Sequence, residues 1–341
     1  MRWKVVALVQ NVGWPKSKEG YAEVGADYVE IPCQTEDEIV EAILEADAVL
    51  SAAVENFDNR VIRHMHKCRI ISVAAIGYDH VDLNAATEHG ICVSNIPEYC
   101  TEEVSDQAMA LLLACARKVL PQVVRVKAGK WNPLVDVKLR TELQPIFRIR
   151  GQILGIIGLG RIGSAVALKA RGFGIKVIAY DPYIDAGVAR NVGVELVGLE
   201  YLLEESDFVS LHTPLTNETR HMLGPEQFRM MKPTAFLINT ARGSLIDECA
   251  LYVALTQDYI AGAGLDVNES DLPEPNNPLL KLENVLMTPH AGFYSEQSMT
   301  QVLQQSEEEI FRVLSGKWPQ HLVNNQVKEI YSRRWCCGSM L

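Results

Sequence analysis

Along the first hundred residues, short β-branched runs alternate with stretches whose apolar residues recur at helical spacing. The runs fall at residues 4–9, 28–31, 48–52, 70–75 and 91–95, with helical patterns at 35–46, 59–67 and 83–88. Parallel neighbours in a sheet need a crossover, and a helix is the usual one. This rhythm therefore predicts one small α/β layer. After Pro97, Thr101-Glu102-Glu103-Val104-Ser105 leads into an apolar stretch from Ala108 to Ala114. It is read as a buried helix with a threonine cap and carboxylates in its first turn. A second alternation starts at Gln152, with strands predicted near 153–157, 176–180, 208–211, 235–238, 262–265 and 285–287, so a larger α/β domain spans about 100–294. The last strong helical pattern, 295–314, lines up Met299, Val302, Leu303, Ile310 and Val313 on a face that must be buried. Residues 326–341 show no sustained periodicity and are read as a mobile tail.

The chain's 341 residues exceed one ordinary core. At roughly 150 residues per domain they suggest two, with a cleft between them. Hydrophobic residues at 48% and charged residues at 22% are globular proportions. A net charge of -11 repels phosphate backbones and anionic lipid, and no basic patch offsets it, so neither nucleic acid nor a membrane is expected as partner. No uncharged apolar run approaches the roughly 18 residues of a membrane span. The most apolar region, 155–170, is broken by Arg161, Lys169 and glycines. The first nine residues carry Arg2 and Lys4 within their apolar run and read as a strand, not a signal peptide. The eight cysteines are scattered except for Cys336-Cys337, which suggests reduced thiols in a cytoplasmic protein; no metal site is expected.

Gly158-Leu159-Gly160-Arg161-Ile162-Gly163 is a G-x-G-x-x-G, weak alone but strong in its place. It follows an apolar strand, opens a helix, and precedes a second strand that ends in Asp181. Gly158 would permit the tight turn, Gly160 the approach of a pyrophosphate, and Gly163 close helix–strand packing, with Arg161 and Ile162 in the helix's first turn. Asp181 would accept from ribose hydroxyls and repel a 2′-phosphate, which favours NAD over NADP. The bland readings are a packing turn and a turn aspartate before Pro182.

Three strands of the larger domain end in polar loops: Asn239-Thr240-Ala241-Arg242-Gly243, Asp266-Val267-Asn268-Glu269-Ser270-Asp271 and Thr288-Pro289-His290. Strand carboxyl ends near the switch point of an open α/β sheet are where ligands sit. Reducing a 2-keto acid needs a cation for its carboxylate and a proton donor for its oxygen. Guanidinium and imidazole suit these tasks. Alone, either residue is usually structural; behind a dinucleotide fingerprint they point to hydride-transfer chemistry, with Arg242 and His290 as the pair.

Residues 150–163, Leu211-His212-Thr213-Pro214-Leu215-Thr216, the Arg242 loop and Thr288-Pro289-His290-Ala291 resemble the D-isomer-specific 2-hydroxyacid dehydrogenases over roughly residues 1–325. Tyr180-Asp181-Pro182-Tyr183 and Phe293-Tyr294-Ser295-Glu296-Gln297 are most similar to the C-terminal-binding-protein branch. The resemblance implies a Rossmann-type doubly wound parallel-sheet NAD domain, 100–294, inserted in a smaller flavodoxin-like α/β substrate domain of residues 1–99 and 295–325, and a homodimer formed through the NAD domain. It implies that Arg242 binds a small 2-hydroxy or 2-keto acid and that His290 is the acid/base, paired with an acidic residue. It further implies that Asp266 holds the nicotinamide carboxamide, that Val104, His212, Thr213, Pro214, Thr240 and Ala241 line the cofactor, and that Ile76 and Gly77 offer backbone N–H groups to the substrate carboxylate.

Departures bear on the substrate. Asp271 stands where the family usually has the histidine's glutamate partner, and Glu269 competes with it. Val73-Ala74-Ala75-Ile76-Gly77 lacks the arginine and first glycine of the C-terminal-binding proteins. Ala52-Ala53-Val54-Glu55-Asn56 lacks the arginines with which phosphoglycerate dehydrogenases grip a phosphate, which argues against a phosphorylated substrate. Phe293 replaces a tryptophan and predicts an apolar wall of different size. A scaffold or corepressor that senses NAD is the competing function; formate dehydrogenase is disfavoured by the acidic loop.

Overall fold

Val5, Val6, Ala7 and Leu8 are all fully buried, and consecutive buried residues on a strand require a sheet covered on both faces. The computed structural model describes residues 2–8, 18–52, 54–270 and 275–335, and divides into two units, Met1–Tyr99 with Ser295–Leu341, and Cys100–Tyr294.

The first unit runs β1 (Trp3–Leu8), α1 (Lys18–Glu23), β2 (Ala26–Glu30), α2 (Glu36–Ile43), β3 (Ala48–Ser51), α3 (Asn59–Ile62), β4 (Ile70–Val73), α4 (Leu83–Glu88) and β5 (Cys92–Ser94). All strands are parallel in the order β2-β1-β3-β4-β5, the flavodoxin-like arrangement. Thr35, Asp58 and Asp82 cap α2, α3 and α4 by accepting from backbone N–H groups, which sets where each helix starts. The pattern read as a helix over 59–67 closes early: His64 and Met65 donate three residues back, to Val61 and Ile62, and the chain turns away.

The second unit holds α5 (Thr101–Ala116), α6 (Val119–Lys127), α7 (Val137–Leu143), β6 (Ile153–Ile157), α8 (Arg161–Gly172), β7 (Lys176–Tyr180), α9 (Ala186–Asn191), β8 (Glu195–Leu196), α10 (Leu199–Glu205), β9 (Phe208–Leu211), α11 (Pro225–Met230), β10 (Phe236–Asn239), α12 (Glu248–Thr256), β11 (Gly262–Leu265) and β12 (Val285–Met287). Its order, β12-β11-β10-β9-β6-β7-β8, is again all parallel and reverses direction between β6 and β9. That reversal makes it a doubly wound Rossmann-type sheet with its switch point at the ends of those two strands. Cys100, not Thr101, occupies the cap position of α5, and no side chain caps that end.

The chain then returns to the first unit with α13 (Glu296–Leu314), capped by Ser295, and α14 (Val327–Trp335). Val302, Leu303, Ile310 and Val313 are buried as their spacing predicted, whereas Met299, in the first turn, is only half-buried, and α13 packs on β3 and β4, where Ser72 Oγ donates to the Ser306 carbonyl at 2.9 Å. The expected mobile tail is corrected by α14: Val327 and Tyr331 are buried, the helix lies on α4, and Trp335 Nε1 donates to the Gly90 carbonyl at 2.9 Å. Residues 336–341 lie outside the described residues.

Candidate active site

The switch point is built by glycines. Gly158, at the end of β6, has φ +94°, and a Cβ there would lie 2.8 Å from His212 C and Thr213 N at the end of β9. A Cβ on Gly163 would meet the Gly158 carbonyl at 2.1 Å, whereas one on Gly160 would face open space. α8 starts from Gly160 with no side-chain cap, so the first-turn backbone of Arg161, Ile162 and Gly163 is a place for an anion. Asp181 follows β7 directly; its Oδ2 accepts from Leu159 N at 2.9 Å and its Oδ1 from Tyr183 N at 3.0 Å, fixing the carboxylate beside the glycine turn. Val104 is buried on α5. Thr213 and Pro214 continue the loop after β9. His212 Nε2 lies 2.8 Å from Ser210 Oγ, and burial pushes this imidazole down to about 4.

The loop after β10 is clamped by fully buried Asn239, which accepts from Ala241 N at 3.0 Å and donates to the Arg242 carbonyl at 2.9 Å. A Cβ on Gly243 would sit 2.0 Å from Asn268, so this loop presses on the one after β11. Thr240 Oγ1 is buried with no hydrogen-bond partner among the described residues. The partly exposed Arg242 guanidinium donates to the Ala241 carbonyl at 2.9 Å. Asp266, after β11, is buried and accepts from Thr288 Oγ1 at 2.5 Å, Ala291 N at 3.1 Å and Gly292 N at 2.7 Å. His290, after β12, is exposed with φ +52°, and its ring meets Phe293 edge-on at 6.2 Å.

Of the two acidic candidates, Glu269 Oε1 is engaged by His221 Nε2 at 2.6 Å, and Asp271 lies outside the described residues. Ile76 and Gly77 belong to the first unit; the Ile76 carbonyl accepts from Asn95 Nδ2 at 2.7 Å, and neither residue's N–H donates to an acceptor among the described residues. Sequence reasoning missed Asn239, Gln107 and the His221–Glu269 pair; an asparagine closing a buried strand was the one available signal. Among the described residues, no group of three or more His, Cys, Asp or Glu could hold a metal ion, and no helix is long and apolar enough to cross a membrane.

The orphaned Thr240 hydroxyl, the open space at Gly160 and the pinned Asp181 carboxylate fit a dinucleotide. With an arginine and a histidine after β10 and β12, on either side of β11, the class is a nicotinamide-dependent oxidoreductase. The family model for the NAD-binding domain of D-isomer specific 2-hydroxyacid dehydrogenases matches residues 109–292. A glyoxylate reductase of Korarchaeum cryptofilum is 44% identical over 292 residues, covering 86% of this chain and 87% of its own. A D-3-phosphoglycerate dehydrogenase of Methanocaldococcus jannaschii is 40% identical over 291 residues, 85% of this chain and 54% of its own. A D-lactate dehydrogenase from Aquifex aeolicus, solved with NAD and lactic acid, superposes with a TM-score of 0.80 at 27% identity, covering 92% of this chain and 96% of that one. The chain belongs to the D-isomer-specific 2-hydroxyacid dehydrogenase family and is an NAD-dependent oxidoreductase of 2-hydroxy acids.

Proposed function

We propose that the chain interconverts a small, unphosphorylated D-2-hydroxy acid and its 2-keto acid, with Arg242 as substrate anchor and His290 as acid/base. The observation that carries this reading is the position of the two residues: they follow β10 and β12, flanking β11, on the sheet edge where the glycine turn ends β6. A bound nicotinamide cofactor would supply the hydride to the substrate's C2 as NADH or accept it from there as NAD+. The Arg242 guanidinium offers a planar fork to the carboxylate. His290 gives a proton to the keto oxygen in reduction and takes it back in oxidation.

A carboxylate has about four acceptor sites. Asp266 uses three on its own protein, which leaves one for the nicotinamide carboxamide. Thr240, Ala241, Thr213, Pro214, His212 and Val104 are assigned to the cofactor's surroundings, and Ile76 and Gly77 to the substrate carboxylate. Since His221 engages Glu269, Asp271 is the better partner for His290. Phe293, against the imidazole, is assigned as the apolar wall. The relatives named as glyoxylate reductase and D-lactate dehydrogenase support a small side chain, and the lack of arginine at 52–56 supports an unphosphorylated one. The protein is assigned to the cytoplasm on buried free thiols such as Cys68, Cys92 and Cys115, and is assigned as a homodimer through the second unit.

The test is a panel of 2-keto acids of rising size, followed by NADH absorbance with D and L products separated. His290→Ala should lower turnover by ~10²–10⁴ while NADH still binds; near-full activity on every accepted acid would remove the assignment. In the same assay Asp271→Asn, and not Glu269→Gln, should move the histidine limb of the pH–rate profile. NADH binding with no turnover of any acid would instead support the scaffold reading.

A further inference from the structure

The turn carrying His290 is held by side chains that the reaction itself does not use. We propose that Gln107 and Thr288 are positioning residues that fix the His290 imidazole through Asp266. The inference rests on the reading of His290 as acid/base.

His290 has φ +52°. A non-glycine residue in this left-handed region persists only where its surroundings enforce it. One carboxylate supplies much of the enforcement. On the near side of His290, Thr288 N donates to the Leu265 carbonyl at 2.9 Å and Thr288 Oγ1 to Asp266 Oδ1 at 2.5 Å. On the far side, Ala291 N reaches the same oxygen at 3.1 Å and Gly292 N reaches Oδ2 at 2.7 Å. The histidine is therefore bracketed by bonds to Asp266, which at 2% exposure has little water to take their place.

Gln107 sets the direction of this relay. Its Nε2 donates to Thr288 Oγ1 at 2.9 Å. An ionised carboxylate only accepts, so the threonine hydroxyl must spend its single proton on Asp266, and the amide fills the hydroxyl's acceptor side. The order amide, hydroxyl, carboxylate is the one that satisfies every member. Gln107 also closes the space behind the turn: a Cβ on Gly292 would lie 2.7 Å from Asp266 Oδ2 and 3.2 Å from Gln107 Cγ. Because Gln107 sits on α5, which packs on α8, β10 and β11, the relay ties the catalytic turn to the body of its unit.

Acid/base catalysis needs the imidazole within hydrogen-bond reach of the moving proton, and a 1 Å misplacement can cost ~10²-fold. Without the Thr288 hydroxyl, Asp266 keeps two donors and the left-handed turn loses its near-side bond to that carboxylate, keeping there only the backbone bond from Thr288 N to the Leu265 carbonyl. The expected signature is loss of kcat with cofactor binding retained.

The experiment uses whole enzyme with glyoxylate and NADH as probes. Thr288→Val removes the hydroxyl at nearly constant shape, Thr288→Ser restores it, and Gln107→Leu removes the amide. For each, kcat, both KM values and the pH–rate profile are measured, with ¹H–¹⁵N spectra of the histidine rings assigned by a His290→Gln sample. Thr288→Val should lower kcat about tenfold or more, shift the His290 ring signals and its pH limb, and leave the NADH KM within about twofold. Thr288→Ser should recover most of kcat, and Gln107→Leu should move the same readouts by less. If Thr288→Val folds poorly, Gln107→Leu carries the test alone. Unmoved ring signals and pH limb would overturn the proposal, as would a serine variant no better than valine, or a loss confined to NADH binding. Should His290→Ala retain turnover while Thr288→Val still displaces the ring, the acid/base reading falls and the positioning role stands.

Discussion

His212 and His290 follow neighbouring motifs but differ in surroundings. Burial beside Ser210 pushes the His212 imidazole down to about 4, which favours its neutral form near neutral pH. This has a consequence for stability. Below the ordinary histidine value near 6.5 the unfolded chain takes up a proton that the folded protein refuses until about pH 4. Stability is therefore fully present above about pH 6.5 and falls as pH drops through that window. Each pH step of one across it is worth about 1.4 kcal/mol, and the partial exposure of His212 discounts the total to at most about 3 kcal/mol. Urea unfolding of the apo protein at steps from pH 7 to 4 should show this slope, and His212→Asn should flatten it; an unchanged slope would mean other groups set the acid limb.

At the scale of elements, α14 is among the pieces that pattern reading missed, with α1, α6 and α7. Tyr331 is 1% exposed and packs on Trp318 with ring centroids 5.3 Å apart, and the Arg69 guanidinium lies 4.8 Å from the Trp3 ring and 4.6 Å from Trp335. Tyr331→Ala should destabilise the first unit by ~3–5 kcal/mol, the usual range for a buried aromatic. Chemical unfolding followed by tryptophan fluorescence would measure it, and a change below about 1 kcal/mol would show the helix to be dispensable. Val327, Ile330, Tyr331 and Trp335 do fall at helical spacing, but over two turns and among Lys328, Glu329, Arg333 and Arg334, too short and charged to stand out. The strands were legible because both-face burial writes unbroken β-branched runs, and the glycine turn because its backbone geometry demands those residues. The Asp266 relay was not, since Gln107 and Thr288 are 181 residues apart and Gln107 belongs to no motif with known spacing.

For the whole molecule, α6 buries no residue of its own, and Val119, Leu120, Val123, Val124 and Val126 are all exposed, followed by Trp131 at 75% and Leu134 at 84%. Apolar surface of this extent fits the proposed association face. It belongs to the second unit, where the homodimer is assigned. Light scattering should give about twice the 37.9 kDa chain mass, and Val124→Asp with Leu134→Asp should halve it. A wild-type mass of a single chain would rule the dimer out.

The first unit is assembled from the two ends of the chain, because α13 lies on β3 and β4 and α14 on α4. During synthesis the ribosome thus delivers the first sheet long before its last covering helices, whereas residues 100–294 are contiguous and can fold as soon as they emerge. A nascent chain stalled before residue 296 would carry a finished Rossmann domain beside a parallel sheet with bare apolar surface, a target for chaperones and proteases until α13 arrives.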